Sequence, residues 1–198
     1  MKNEHIYREI FIDNTIQLVA EGGFEMATTR AISGYRKEIE NVKLNEAHIY
    51  RVFETKEKLF AETFKKLDEE VLSVIKTAFY EFDVNKDART QYEAIFLRFW
   101  RFLLQNEAKC KYYTRYYHSV YFKNGVYASH KKNFEVFLEK ITPAFVFGAD
   151  VWSIFHHVLT SLLNFAVRVY NGELENNEEN TYHIFNVVYS VIELYLKK

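Results

Sequence analysis

The sequence predicts an all-α protein, and three observations carry that prediction. Leu, Ile, Val and Phe recur at three- and four-residue spacing along almost all of the 198 residues, which is the period of one helix face. One proline, Pro143, and six glycines are the only strong breakers, so long stretches run without interruption. Strand-like alternation bounded by turn residues is scarce. Hydrophobic residues make up 48% of the chain and aromatics 18%, enough apolar mass to bury a substantial core and to argue against disorder.

Each element can be justified in order. Residues 5–21 place Ile6, Ile10, Asn14, Thr15, Leu18 and Val19 on one helical face. Gly22-Gly23 ends that helix, because glycine tolerates the left-handed conformation of a helix C-terminus, and Phe24 follows as a core anchor. Thr28 or Thr29 caps a second helix, in which Ile32, Tyr35 and Ile39 keep the period until Asn41 stops it. Val42-Lys43-Leu44 is then a turn, and Asn45 caps a short third helix through Phe53. Thr55 caps a long fourth helix with Leu59, Phe60, Phe64, Leu67, Val71, Leu72, Ile75 and Phe79 on its apolar face. After the polar run DVNKDA, helix 89–105 is built on Tyr92, Ile95, Phe96, Phe99, Trp100 and Leu103. Helices over 107–122, 125–141, 149–171 and 178–197 complete the chain, separated by Asn124-Gly125, Pro143 and the acidic run 171–180.

Charge and chemistry narrow the function classes. The formal net charge is −1, so a nucleic-acid surface has to be a local patch. Cys110 is the only cysteine, which excludes an intramolecular disulfide and a multi-cysteine zinc site and fits a reducing cytosol. Lys109 and Lys111 beside it would suit a redox-sensing thiol, but a buried, idle thiol is the expectation. His156 and His157 point about 100° apart on a helix and have no His or acid four residues away, so no metal site is expected. No nucleophile, base and metal converge, which argues against an enzyme or a cofactor. The N-terminus lacks a signal-peptide run, and no apolar stretch approaches the ~20 residues of a membrane span. A soluble cytoplasmic protein with no membrane segment is expected.

Several short motifs resemble a known family. Gly23-Phe24 is followed by Ala27-Thr28 and Ile32-Ser33, then by Ile49-Tyr50-Arg51-Val52-Phe53 and Thr55-Lys56-Glu57-Lys58-Leu59-Phe60. Set on three short helices and a long one, they resemble the TetR (tetracycline repressor-like) family of transcriptional regulators. The likeness covers about residues 5–64; beyond that only helix number and length match. It implies a helix-turn-helix DNA-binding domain over 1–54 and a larger helical ligand-binding and dimerisation domain over 55–198. Three departures stand out. SGYRKEIENVKLN replaces the family's short link between helices two and three and is roughly six residues longer. If the surplus extends the second helix, it adds about 9 Å. Ala47-His48 stands where the family places Gly-Thr, and Val52 replaces an aromatic.

The resemblance assigns candidate roles. The N-terminal part of a recognition helix faces base edges, which makes Asn45, Glu46 and His48 base readers. Tyr50 and Lys56 match phosphate-contacting positions, and Thr28, Thr29, Arg36, Lys37, Lys43 and Arg51 are further phosphate candidates. Each has a plainer reading: Asn45 as a cap, Glu46 as a first-turn acid, Tyr50 as a packing residue. Acidic residues offset the basic ones across 1–60, so the phosphate footprint is modest. A ligand-sensing region would draw on Tyr113, Tyr116, Tyr117 and Tyr121, on Phe96, Phe99 and Trp100, and on Trp152, Phe155, His156 and Leu159. Aromatics with polar tips suit a bulky apolar or aromatic effector, though core packing explains the same pattern. Arg98 or Arg101 could pair an acidic group on it. Apolar stripes on helices 149–171 and 178–197 would pair across a two-fold axis, giving a homodimer that reads a palindromic double-stranded DNA operator. The expected function is a dimeric, ligand-responsive transcriptional repressor. The alternative is a helical adaptor with the family fold and no specific operator, which the long 33–44 segment and the acidic N-terminal region favour.

Overall fold

The computed structural model describes residues 2–35, 38–39, 42–83 and 85–197, with the side chains of 2, 3, 38, 39, 42, 43 and 124 left aside. Over these residues the protein is all-α apart from one small ribbon. The helices are α1 (Lys2–Gly22), α2 (Thr29–Tyr35), α3 (Glu46–Phe53), α4 (Lys56–Ala78), α5 (Ala88–Gln105), α6 (Glu107–Tyr117), α7 (Asn124–Ile141), α8 (Val151–Tyr170) and α9 (Glu178–Glu193). The ribbon is β1 (Glu38–Ile39) against β2 (Val42–Lys43), antiparallel, with Glu38 opposite Lys43 and Ile39 opposite Val42. Among the described residues no helix is long and apolar enough to cross a membrane.

The chain forms two compact units that interleave in sequence. The first comprises Met1–Asp68 and Lys111–Tyr127, the second Glu69–Cys110 and Ala128–Lys198. Helices α4, α6 and α7 each contribute residues to both.

In the first unit, local signals place each helix end. Gly23 has φ +84 and its N–H donates to the Val19 carbonyl at 2.9 Å, closing α1 as only glycine does without strain. The chain then drives Phe24 between Phe60 of α4 and Tyr112 and Tyr116 of α6, at ring-centroid distances of 5.0, 5.9 and 6.0 Å. Thr28 caps α2 by accepting from the Ala31 N–H at 3.1 Å, and buried Asn14 of α1 donates to the Ile32 carbonyl at 2.9 Å. Arg8 of α1 donates to Glu62 of α4 and, at 3.2 Å, to the Val52 carbonyl of α3, with its guanidinium 4.9 Å from the Phe53 ring.

The second helix does not run to Ile39. It stops at Tyr35, and Ile39 lies in the ribbon, so the surplus residues do not add a longer helix. Gly34 weakens helix propagation, and β-branched Ile39 and Val42 fit a pleated pair better than a helix. Asn41, the expected stop, lies outside the described residues, as do Arg36 and Lys37. Helix α6 also ends early, at Tyr117, so Val120 and Tyr121 are not on it. The cause is Ser119, whose hydroxyl donates to the Tyr116 carbonyl at 2.7 Å and accepts from the Tyr121 N–H at 3.1 Å, replacing helix bonds.

The second unit is built from α5, α8 and α9 with the later parts of α4 and α7. Asp87, Asp150 and Asn177 cap α5, α8 and α9 by accepting from the N–H groups of Thr90, Ser153 and Asn180 at 2.8, 3.1 and 2.8 Å. Helix α9 ends at Glu193 rather than 197, because the last residues pair with the segment after α7: Val146 N–H donates to Tyr195 at 2.8 Å and Lys197 N–H to Ala144 at 3.0 Å.

Among the described residues, one non-glycine position has a positive φ. Between α3 and α4, Glu54 has φ 65 and ψ −45, and the Thr55 N–H donates to the Phe53 carbonyl at 2.7 Å. This is a γ-turn of positive φ, a rare conformation that costs a non-glycine residue about 1–3 kcal/mol. Glu54→Val should therefore destabilise the protein by about 1–2 kcal/mol, while Glu54→Gly is neutral or stabilising. Urea unfolding of the two variants checks the opposite signs.

Candidate nucleic-acid face and apolar cavity

The proposed DNA-reading residues gather in the first unit around the N-terminus of α3. Asn45 and His48 form a reciprocal cap: Asn45 Oδ1 accepts from the His48 N–H at 3.2 Å, and the Asn45 N–H donates to His48 Nδ1 at 3.3 Å. Histidine stands here where a capping box usually has Glu or Gln. With Nδ1 accepting, the imidazole proton sits on Nε2, which remains a donor, and the ring packs 4.9 Å from that of Tyr7. Because Asn45 Oδ1 is already engaged, bidentate pairing with adenine would compete with the cap. Glu46 is exposed and accepts from the Thr29 hydroxyl at 2.5 Å, tying α3 to α2.

The candidate phosphate contacts are arranged around this helix. Tyr50 is 52% exposed, and its hydroxyl makes no hydrogen bond among the described residues. Arg51 is exposed with its guanidinium 5.6 Å from the Tyr7 ring. The Lys56 ammonium, at the start of α4, lies 5.5 Å from the Phe60 ring. Thr55 caps α4 by accepting from the Lys58 N–H at 3.1 Å. Thr28 is exposed at the start of α2. Lys43 is in β2, but its side chain lies outside the described residues.

The proposed ligand residues divide between the two units. Tyr113, Tyr116, Tyr117 and Tyr121 belong to the first. There the Tyr112 hydroxyl donates to the Phe60 carbonyl at 2.8 Å, Tyr113 to buried Asp68 at 2.8 Å and Tyr116 to the Tyr121 carbonyl at 3.2 Å. Phe64 packs 4.8 Å from Tyr113 and 4.6 Å from Tyr116. These tyrosines form a packed core with hydrogen-bonded tips.

Phe96, Phe99, Phe155 and Leu159 instead meet in the second unit, on the wall of an apolar cavity of about 90 Å³. Ile75 and Phe79 of α4, Tyr92 and Ile95 of α5, Phe137 and Ile141 of α7, and Val158 and Leu162 of α8 continue the wall. Phe185, Val188, Tyr189 and Ile192 of α9 close it. Trp100 stacks on Phe96 at 6.0 Å, and Trp152 lies 6.2 Å from Phe155 and 6.0 Å from His156; these three stand beside the wall residues rather than on the wall. Tyr92, Tyr189 and Val188 were not among the proposed ligand residues. Their signal was available: Tyr92 shares the apolar stripe of Phe96 and Phe99, one turn earlier. An open groove of about 560 Å³, lined by Glu93, Leu97, Asn176, Glu178 and Tyr182, shares Phe96 and Phe185 with the cavity.

No protein-family model and no curated protein matches the sequence. Solved structures do match. A TetR family transcription regulator from Marinobacter aquaeolei VT8 superposes with a TM-score of 0.78 at 18% identity, covering 100% of both chains. One from Haemophilus influenzae gives 0.71 at 15% identity, again over 100% of both. The fatty acid degradation regulator FadR from Bacillus halodurans gives 0.61 at 13% identity, covering 94% of this chain and 93% of that one. At such identities the likeness is one of fold. The chain has the architecture of a TetR-type regulator along nearly its whole length.

The tyrosine core generates a pH prediction. Burial pushes Tyr116 and Tyr117 up to about 12, and it holds Tyr112 and Tyr113 well above the ordinary phenol range. A raised folded pKa favours the neutral form, so this contribution is complete below pH ~10 and is lost as pH rises through the folded values. Stability should fall steeply above pH ~10, with buried tyrosines ionising only as the protein unfolds. Simultaneous recording of tyrosinate absorbance and circular dichroism checks that the two transitions coincide.

Proposed function

We propose that the protein is a dimeric, ligand-responsive transcriptional regulator, acting as a repressor at a palindromic operator. The observation that carries this reading is the full-length fold shared with TetR regulators, combined with an α3 whose N-terminal residues are solvent-facing. His48 Nε2 is a base-edge donor, and Tyr50, Arg51 and Lys56 fix register on phosphates. The cavity of the second unit takes the effector. Ile75 and Phe79 on its wall belong to the same helix as Lys56, so a ligand that prefers one setting of α4 biases the DNA-binding state.

The outer faces of α8 and α9 support dimerisation. Exposed on α8 are Ser153, His157, Asn164 and Arg168, and on α9 Glu178, Glu179, Tyr182, His183, Val187, Ser190 and Glu193, so the charged groups sit toward the helix ends and the middle turns carry no carboxylate, ammonium or guanidinium. The exposed face of α7 instead bears Lys131, Lys132, Glu135, Glu139 and Lys140. An uncharged middle flanked by charged ends is the pattern of an interface with a charge-depleted centre and a polar rim.

Selection of bound sequences from a random double-stranded DNA pool, at two salt concentrations, tests the function. One palindromic motif is the expected result. Salt-sensitive binding with no motif, or no binding, would replace this reading with the adaptor reading, which the acidic Glu46 beside Thr29 favours. Lys56→Ala should weaken binding to all sequences alike and reduce the salt slope by about 1.8, about 0.9 for each of the dimer's two lost phosphate contacts. His48→Gln, which keeps a capping residue, should change sequence preference at one position in each half-site.

A further inference from the structure

We propose that the cavity selects an uncharged apolar molecule carrying one hydrogen-bond-accepting oxygen, and that Tyr92 is the donor that recognises it. This rests on the reading of the cavity as the effector site.

Tyr92 lies on the cavity wall and is only 6% exposed. Its hydroxyl is buried and has no hydrogen-bond partner among the described residues. Its ring neighbours are Phe79 at 5.9 Å, Phe82 at 5.3 Å and Tyr189 at 6.1 Å, and Tyr189, the one with a side-chain oxygen, makes no hydrogen bond to it. By contrast the hydroxyls of Tyr112, Tyr113, Tyr116 and Tyr170 all donate to an oxygen of the protein. A buried hydroxyl left unpaired is a cost to the fold that a bound acceptor relieves. Burial also raises the Tyr92 pKa, which keeps the phenol neutral and able to donate.

The rest of the wall sets the chemistry of the ligand. It carries no Lys, Arg, His, Asp or Glu, so an ionised group would be desolvated without a counter-charge. Arg89 is held by Asn186 and stacks 5.3 Å from Phe185 and 5.1 Å from Tyr189, but it is not part of the wall. The volume of about 90 Å³ is smaller than the ~150 Å³ of an apolar protein cavity that accepts benzene, so the ligand is of one-ring size and the wall adjusts around it. Phe96 and Phe185, 5.4 Å apart, line both cavity and outer groove and form the route of entry.

Three near-isosteric probes test the proposal on the full chain by calorimetry: ethylbenzene, acetophenone and benzoate. Ethylbenzene and acetophenone should both bind, and benzoate should not. In Tyr92→Phe, acetophenone should bind about fivefold more weakly while ethylbenzene is unchanged. The ligand-free variant should melt about 2–4 °C higher, because it loses an unpaired buried hydroxyl. Equal effects on the two neutral probes, tighter binding of benzoate than of acetophenone, or a lower melting temperature for ligand-free Tyr92→Phe would overturn the role of Tyr92 while leaving the cavity a ligand site. Failure of all three probes to bind would overturn the cavity reading itself.

Discussion

The first unit depends on the seating of one ring. Gly23 lets α1 stop abruptly, and the next side chain, Phe24, drops among Phe60, Tyr112, Tyr116 and Tyr121. Edge-on aromatic contacts of this kind each contribute about 0.5–1.5 kcal/mol beyond simple burial. Their more important effect is positional. The ring fixes the start of α4 and the later part of α6 against the link into α2, and Arg8 fixes α3 against α1 and α4. Helix α3 is thus held against α1 and α4 by a residue far from its own N-terminus.

The second unit answers to a different constraint. Its helices bring a nearly continuous apolar wall around a void, where close packing would normally leave none. An apolar void forfeits dispersion contacts on every residue that lines it, so it is a cost that the rest of the unit's packing has to carry. Helices α8 and α9 supply much of that wall from the stretch 151–193.

Much of the fold was legible in the sequence. Helical periodicity placed α1, α3, α4, α5 and α8 to within a few residues, and the caps at Asn45 and Thr55 are as predicted. Periodicity failed where side chains compete with the backbone or where residues leave the chain a choice. Ser119 ended α6 by bonding locally, Ile39 fitted both a helix period and a strand pair, and Val42, read as part of a turn, lies in the ribbon. The candidate site divided along the same line. Phe96 and Phe155 met as walls because stripes on packed helices converge. The tyrosines of α6 look equally suitable as a pattern, but their hydroxyls found partners at Phe60 and Asp68, which only tertiary packing decides.

The γ-turn at Glu54 acts as the pivot of a short lever. Helix α3 has 8 residues, so at 1.5 Å per residue its far end stands about 12 Å from that turn. A rotation of roughly 10° about the pivot would sweep the far end by about 2 Å. A glycine there would let the lever wander through that arc. A glutamate confined to one uncommon backbone setting narrows it, so the setting of α3 against α4 depends in part on the stiffness of a single residue outside either helix.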